Sequence, residues 1–183
     1  MRLIILDRDG VINEDSDAFI KAPDEWVPIP GSLEAIARLN RADYRVLIAT
    51  NQSGIARGLL NLDMLNRIHE KLHRALAELG GNVEAIFYCP HGPEDGCDCR
   101  NPLSGLFHEI EQRLNVSLRG VPAIGDSLRD LQAAAAVGAM PILILTGKGS
   151  KTLTELDTLS DVVPVFEDLS TAVDALLDVE ERA

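Results

Sequence analysis

Leu3-Ile4-Ile5-Leu6-Asp7-Arg8-Asp9-Gly10-Val11-Ile12-Asn13 is an apolar run that ends abruptly in two carboxylates two residues apart. A short stretch of Leu and Ile without polar alternation suits a strand buried on both faces of a parallel sheet. Such a strand delivers the residues after it to the carboxyl edge of the sheet, where open α/β folds place their ligands. If extended geometry continues past Leu6, Asp7 and Asp9 point the same way. Two like charges so close repel each other, so a cation or a shared proton is needed to hold them together. Magnesium, a hard dication that prefers oxygen ligands, meets that need.

The pattern recurs along the chain. Apolar runs at Val46 to Ala49, Ala85 to Tyr88, Pro122 to Ile124 and Pro141 to Leu145 predict further buried strands, with a weaker edge strand near Val162 to Val165. Helical stretches are expected at Ser32 to Ala42, Leu62 to Leu79, Ser104 to Leu114, Leu128 to Val137 and Asp168 to Leu177, with Ser32, Asn61 and Ser127 as candidate caps. This alternation predicts the α/β class: a doubly wound, Rossmann-like parallel sheet. Asn13 to Pro30 and Cys89 to Pro102, rich in turn formers, read as loops, and Glu180 to Ala183 should fray. No insertion is long enough for a large cap domain, so residues 1–183 are expected to form one domain.

Composition narrows the function. With 29 acidic against 17 basic residues and a net charge of -12, the chain repels nucleic acid and anionic membranes. A small diffusible ligand, no nucleic-acid or membrane partner, and a monomer are expected. The apolar stretch before Asp7 is too short for a signal-peptide core or a membrane span, which points to the cytoplasm.

Two further polar clusters follow strands: Thr50-Asn51-Gln52-Ser53-Gly54 and Gly125-Asp126-Ser127-Leu128-Arg129-Asp130. An isolated Asp-x-Asp is usually an ordinary strand exit, but three such clusters at one sheet edge are not. Separately, Cys89, His91, Cys97 and Cys99 put three sulfurs and an imidazole into one short loop, residues 89–99. That donor set suits a closed tetrahedral zinc site, which folds a loop rather than performing chemistry.

These residues, in this order, resemble the haloacid dehalogenase superfamily of phosphatases. The resemblance implies that Asp7 attacks phosphorus to form an aspartyl-phosphate and that Asp9 protonates the leaving alcohol. It also implies that Thr50 holds the phosphoryl oxygens. Asp7, the Asp9 backbone carbonyl and Asp126 would hold magnesium, with Asp130 in support. The zinc loop and the Cys97-Asp98-Cys99-Arg100 run resemble the histidinol-phosphatase-like subfamily, which implies a small phosphorylated sugar, a heptose bisphosphate, as substrate. Histidinol phosphate is the rival substrate, and a polynucleotide is disfavoured by the acidic composition.

One position departs from the pattern. The subfamily carries a Lys after the arginine, and this chain has Asn101. An amide donates hydrogen bonds but brings no charge to the transferring phosphate, so Asn101 is expected to lower turnover, or to leave a phosphosugar-binding protein of weak activity. Arg100 is the nearest compensating cation, and Lys148 looks more remote. Arg57 and Arg100 are candidate contacts for the non-reacting part of the substrate, with Asn51, Gln52 and Ser53 as neutral donors for a polyhydroxylated ligand.

Overall fold

A computed structural model describes residues 2–156 and 163–181. Strands β1 (Arg2–Leu6), β2 (Tyr44–Asn51), β3 (Ala85–Cys89), β4 (Pro122–Gly125), β5 (Met140–Ile144) and β6 (Val165–Phe166) form one sheet in the order β3-β2-β1-β4-β5-β6. Every neighbouring pair is parallel. Alternate residues of β1 serve opposite faces: Ile4 and Leu6 join one core, Ile5 the other, and all are almost fully buried. Each such side chain stabilises the fold by about 1.5–3 kcal/mol relative to exposure.

Helices α1 (Ser32–Arg41), α2 (Leu62–Glu78) and α6 (Leu169–Glu181) cover the first face. Helices α3 (Gly105–Leu114), α4 (Leu128–Ala136) and α5 (Gly149–Glu155) cover the second. The sheet is therefore doubly wound, and the strand order reverses between β1 and β4, which is where such folds open a crevice. Leu6 stands beside both Ile48 and Ile124, so β1, β2 and β4 release their following residues at one level.

Most expected elements are found within a few residues of their expected ends, with three differences. Ser32 is not a cap: Gly31, at φ 82°, occupies that position, and Ser32 Oγ donates instead to the Ile12 carbonyl at 2.6 Å. Helix α5 was not expected, because its seven residues include Gly149 and two threonines and only Gly149 and Thr152 are buried. The last strand is Val165–Phe166 rather than a run from Val162, which itself lies outside the described residues, as do Arg182 and Ala183 beyond α6. The long loop after β1 contains only a short 3-10 turn, Pro23–Glu25, and is pinned by Trp26, which is 1% exposed within the first core.

Candidate active site and zinc loop

Asp7, Asp126 and Asp130 each bring a carboxylate oxygen to within 4.8 Å of the others at the β1/β4 crevice. Asp7 follows β1 directly, and its amide continues the ladder by donating to the Ile124 carbonyl at 2.9 Å. Asp126, 3% exposed, is held from the far side by the Lys148 amide, 2.7 Å from its Oδ2. Gly10 and Gly147 let two loops close over it: both have positive φ, and a Cβ on either would lie about 2 Å from Asp126 Oδ2. Asp130 closes the first turn of α4 in a capping box with Ser127, whose amide and hydroxyl both donate to Asp130 Oδ2.

Crowding shows in the acidities. Burial, then Asp130, Asp126 and Asp9, push the Asp7 carboxyl well above its usual range. Burial and then Asp130 push Asp126 up to about 7. The cluster thus holds protons that the unfolded chain releases near pH ~4. Their stabilising contribution is complete below that pH and is lost as pH climbs through about 7. A dication would take the protons' place, and all three groups offer hard oxygens, so the residues fit magnesium. The expected result is that magnesium raises the melting temperature more at pH ~8 than at pH ~5.5. Scans with and without added magnesium, in buffers free of chelators, check this; equal shifts at the two pH values would contradict it.

The Asp9 carboxylate stands apart from that cluster. Its Oδ1 accepts from Arg8 Nε at 3.0 Å and Asn13 Nδ2 at 2.9 Å. Its Oδ2 accepts from Arg8 Nη2 and Gln52 Nε2, both at 3.0 Å. Arg8 is 0% exposed and also reaches Gln52 Oε1 at 3.2 Å and His69 Nε2 at 3.3 Å. Arginine only donates, so His69 must accept at Nε2 and be neutral. Burial, and then the Arg8 charge, hold its pKa down at about 3. Gln52 also donates to Thr50 Oγ1 at 3.3 Å, and Thr50 is 1% exposed with its side chain bonded to Asp7.

Arg8, Asn13 and His69 were not singled out from sequence. Arg8 reads as a spacer between two aspartates, and a buried arginine runs against the ordinary exposure of that residue.

An open cavity of about 120 Å³ lies over these groups, lined by Asp7, Asp9, Thr50 and Asp126 and by the cations Arg100, Arg129 and Lys148. Asn51, Gln52 and Ser53 also line it. Lys148 is nearer than sequence suggests, with its Nζ 2.7 Å from Asp15 at the rim. Arg57 does not line this cavity; it lies over the ring of Phe19, 5.5 Å from the centroid, and Phe19 does line it. Asn101 sits beneath the cavity, 2% exposed, donating from Nδ2 to Asp130 Oδ1 at 2.7 Å.

Cys89, His91, Cys97 and Cys99 form a second cluster, with one ligand atom each within 4.8 Å of the others. Cys89 Sγ is 3.6 Å from both His91 Nδ1 and Cys97 Sγ, and Cys99 Sγ is 3.0 Å from Cys89 Sγ. A tetrahedron with Zn–S bonds of ~2.3 Å has edges of about 3.8 Å, so the donors fit zinc after a small expansion. Burial and then the neighbouring thiols push Cys99 far above the usual thiol range. The loop is tied to the cavity: Arg100 Nη1 donates to the His91 carbonyl and the Asn101 amide to Asn51 Oδ1, both at 3.2 Å.

A parallel sheet with acidic groups at its switch point, a buried threonine on the adjacent strand and cations on the cavity wall is the architecture of a phosphoryl-transfer hydrolase. The chain belongs to the haloacid dehalogenase-like hydrolase family, which it matches over residues 2–138. It is 60% identical over 177 residues to the D-glycero-beta-D-manno-heptose-1,7-bisphosphate 7-phosphatase of Bordetella bronchiseptica, covering 97% of this chain and 98% of that protein. The protein of the same name from Pseudomonas aeruginosa is 53% identical, with 96% and 97% covered. The crystal structure of the D,D-heptose 1,7-bisphosphate phosphatase from B. bronchiseptica, complexed with magnesium and phosphate, superposes with a TM-score of 0.95 at 60% identity over 98% of this chain and 99% of that one.

Proposed function

We propose that this chain is a phosphatase that removes the 7-phosphate of D-glycero-beta-D-manno-heptose 1,7-bisphosphate in the cytoplasm, acting as one domain over residues 1–183. The observation that carries this reading is the carboxylate cluster of Asp7, Asp126 and Asp130 facing a cavity with Thr50 and Arg100 on its wall. The similarity to the Bordetella and Pseudomonas phosphatases supports the choice of substrate.

Asp7, Asp126 and the Asp9 backbone carbonyl would hold magnesium, which when bound neutralises charge on the phosphoryl oxygens. Asp7 attacks phosphorus as its bond to the sugar 7-oxygen breaks, and Asp9 delivers a proton to that oxygen. Water then attacks the aspartyl-phosphate, Asp9 takes its proton, and phosphate leaves with the Asp7 carboxylate restored. Asp9 must first turn from Arg8 and Gln52 toward the substrate, since its oxygens are occupied by donors in the resting geometry. Thr50 orients Asp7, and Arg100 with Asn51, Gln52 and Ser53 holds the rest of the sugar bisphosphate, while Arg57 acts only through Phe19, on which it lies. Cys89, His91, Cys97 and Cys99 would hold zinc, which would fix the loop whose His91 carbonyl receives Arg100.

Phosphate release from heptose 1,7-bisphosphate and from histidinol phosphate, each with and without magnesium, tests the proposal. Magnesium-dependent release of one phosphate from the sugar, at much higher kcat/KM than from histidinol phosphate, is expected. Preference for histidinol phosphate would refute the assignment.

A further inference from the structure

The polar atoms beneath Asp7 are not all satisfied. Asn101 Nδ2 donates to Asp130 Oδ1 at 2.7 Å. A carboxylate only accepts, so the amide cannot be turned the other way and its Oδ1 gains nothing from Asp130. That oxygen is buried and has no hydrogen-bond partner. Asn101 itself is 2% exposed. Asn101, Asp7 and Asp130 share a small cavity of about 10 Å³, walled otherwise by apolar groups such as Ile5, Ala49 and Phe107. That is space for a single water-sized particle.

We propose that this cavity is a monovalent-cation site, taken by potassium or ammonium held between the Asp7 and Asp130 carboxylates and Asn101 Oδ1. The polar atoms offered are acceptors. A water can donate to only two of the three acceptors, whereas a cation is served by all of them, and two of these are carboxylates whose charge offsets its desolvation. Charge points the same way: two of the three clustered carboxylates, Asp7 and Asp130, line this cavity. The occupant is water-sized, so tetramethylammonium is excluded by bulk and the smaller sodium ion fills the space less closely. A cation there anchors Asp7 from below while its other oxygen faces the substrate, and it offsets charge during phosphoryl transfer. Its effect on rate rests on the phosphatase reading; its binding does not.

Two measurements on the full chain test the site. The first is turnover with saturating magnesium at constant ionic strength, with tetramethylammonium chloride exchanged for potassium, ammonium or sodium chloride. Potassium and ammonium should each raise kcat by about tenfold, sodium much less. Asn101→Lys, which tethers an ammonium in the same space, should be fast in tetramethylammonium and indifferent to potassium. The second is anomalous scattering from crystals of the unsubstituted protein soaked in thallium or rubidium, with a peak expected between Asp7, Asp130 and Asn101 Oδ1. Absence of that peak, or equal rates in potassium and tetramethylammonium, overturns the proposal in favour of a single water. A chain that hydrolyses no phosphate ester refutes the phosphatase reading, and the thallium peak then still decides the site.

Discussion

Asp7→Asn is expected to lower kcat by about 10⁴-fold or more, because it removes the attacking oxygen while keeping the shape of the side chain. The same change should stabilise the magnesium-free protein. The Asp7 carboxyl is crowded by burial, Asp130, Asp126 and Asp9, and a neutral amide relieves that repulsion. A gain of about 1 kcal/mol would raise the melting temperature by ~2–4 °C in a domain of this size. Single-turnover phosphate release and thermal scans in magnesium-free buffer read the two effects. Activity retained above about one per cent would remove Asp7 from the role of nucleophile, and a lowered melting temperature would contradict the electrostatic account.

Cys99→Ser is expected to damage stability and turnover together. Loss of a structural metal ligand belongs to the mutations that cost several kcal/mol, here about 2–4, or ~5–15 °C in melting temperature. Turnover should fall because Arg100 and Asn101 follow Cys99 directly and Arg100 is tied to the loop through the His91 carbonyl. Misplacing such groups by about 1 Å can cost ~10²-fold in rate. Zinc content by elemental analysis, melting temperature and kcat should therefore decline in step. A variant that lost zinc but kept its rate would show that the loop does not position these residues.

The legible parts of this molecule are those where one physical demand dominates. β1 runs through Leu3-Ile4-Ile5-Leu6 straight into Asp7, so its burial and its direction toward the sheet edge can be read from that apolar run. Asn61 and Ser127 are caps because each precedes a helical stretch and carries the acceptor that the first turn needs. Where two demands compete, sequence misleads. Ser32 has the chemistry of a cap but is drawn inward by the Ile12 carbonyl, and Gly31 supplies the turn. α5 has no apolar stripe, since its inward-facing Thr152 serves the Asp126 carbonyl at 2.8 Å rather than a hydrophobic core.

The site divides in the same way. The carboxylates and the cysteine cluster were visible as residue types at strand ends and in one loop. The brace around Asp9 was not, because Arg8 and His69 are 61 positions apart and meet only after α2 packs on the sheet. Lys148 belongs to the cavity for a similar reason: the loop after β5 folds back over Asp126 where Gly10 and Gly147 leave room. Asn101 was recognised as a missing charge, but its orphaned oxygen and the space beside it are properties of packing alone.

Asp130 serves two masters. The carboxylate that closes the first turn of α4 also stands among the oxygens where the dication is expected. Winding of that helix and affinity for the ion are consequently one linked equilibrium, and no substitution at Asp130 can tune either alone. A pull on Asp130 from an ion in the crevice would therefore be transmitted to Ser127 and the start of the helix at Leu128, coupling the site to the frame that carries it.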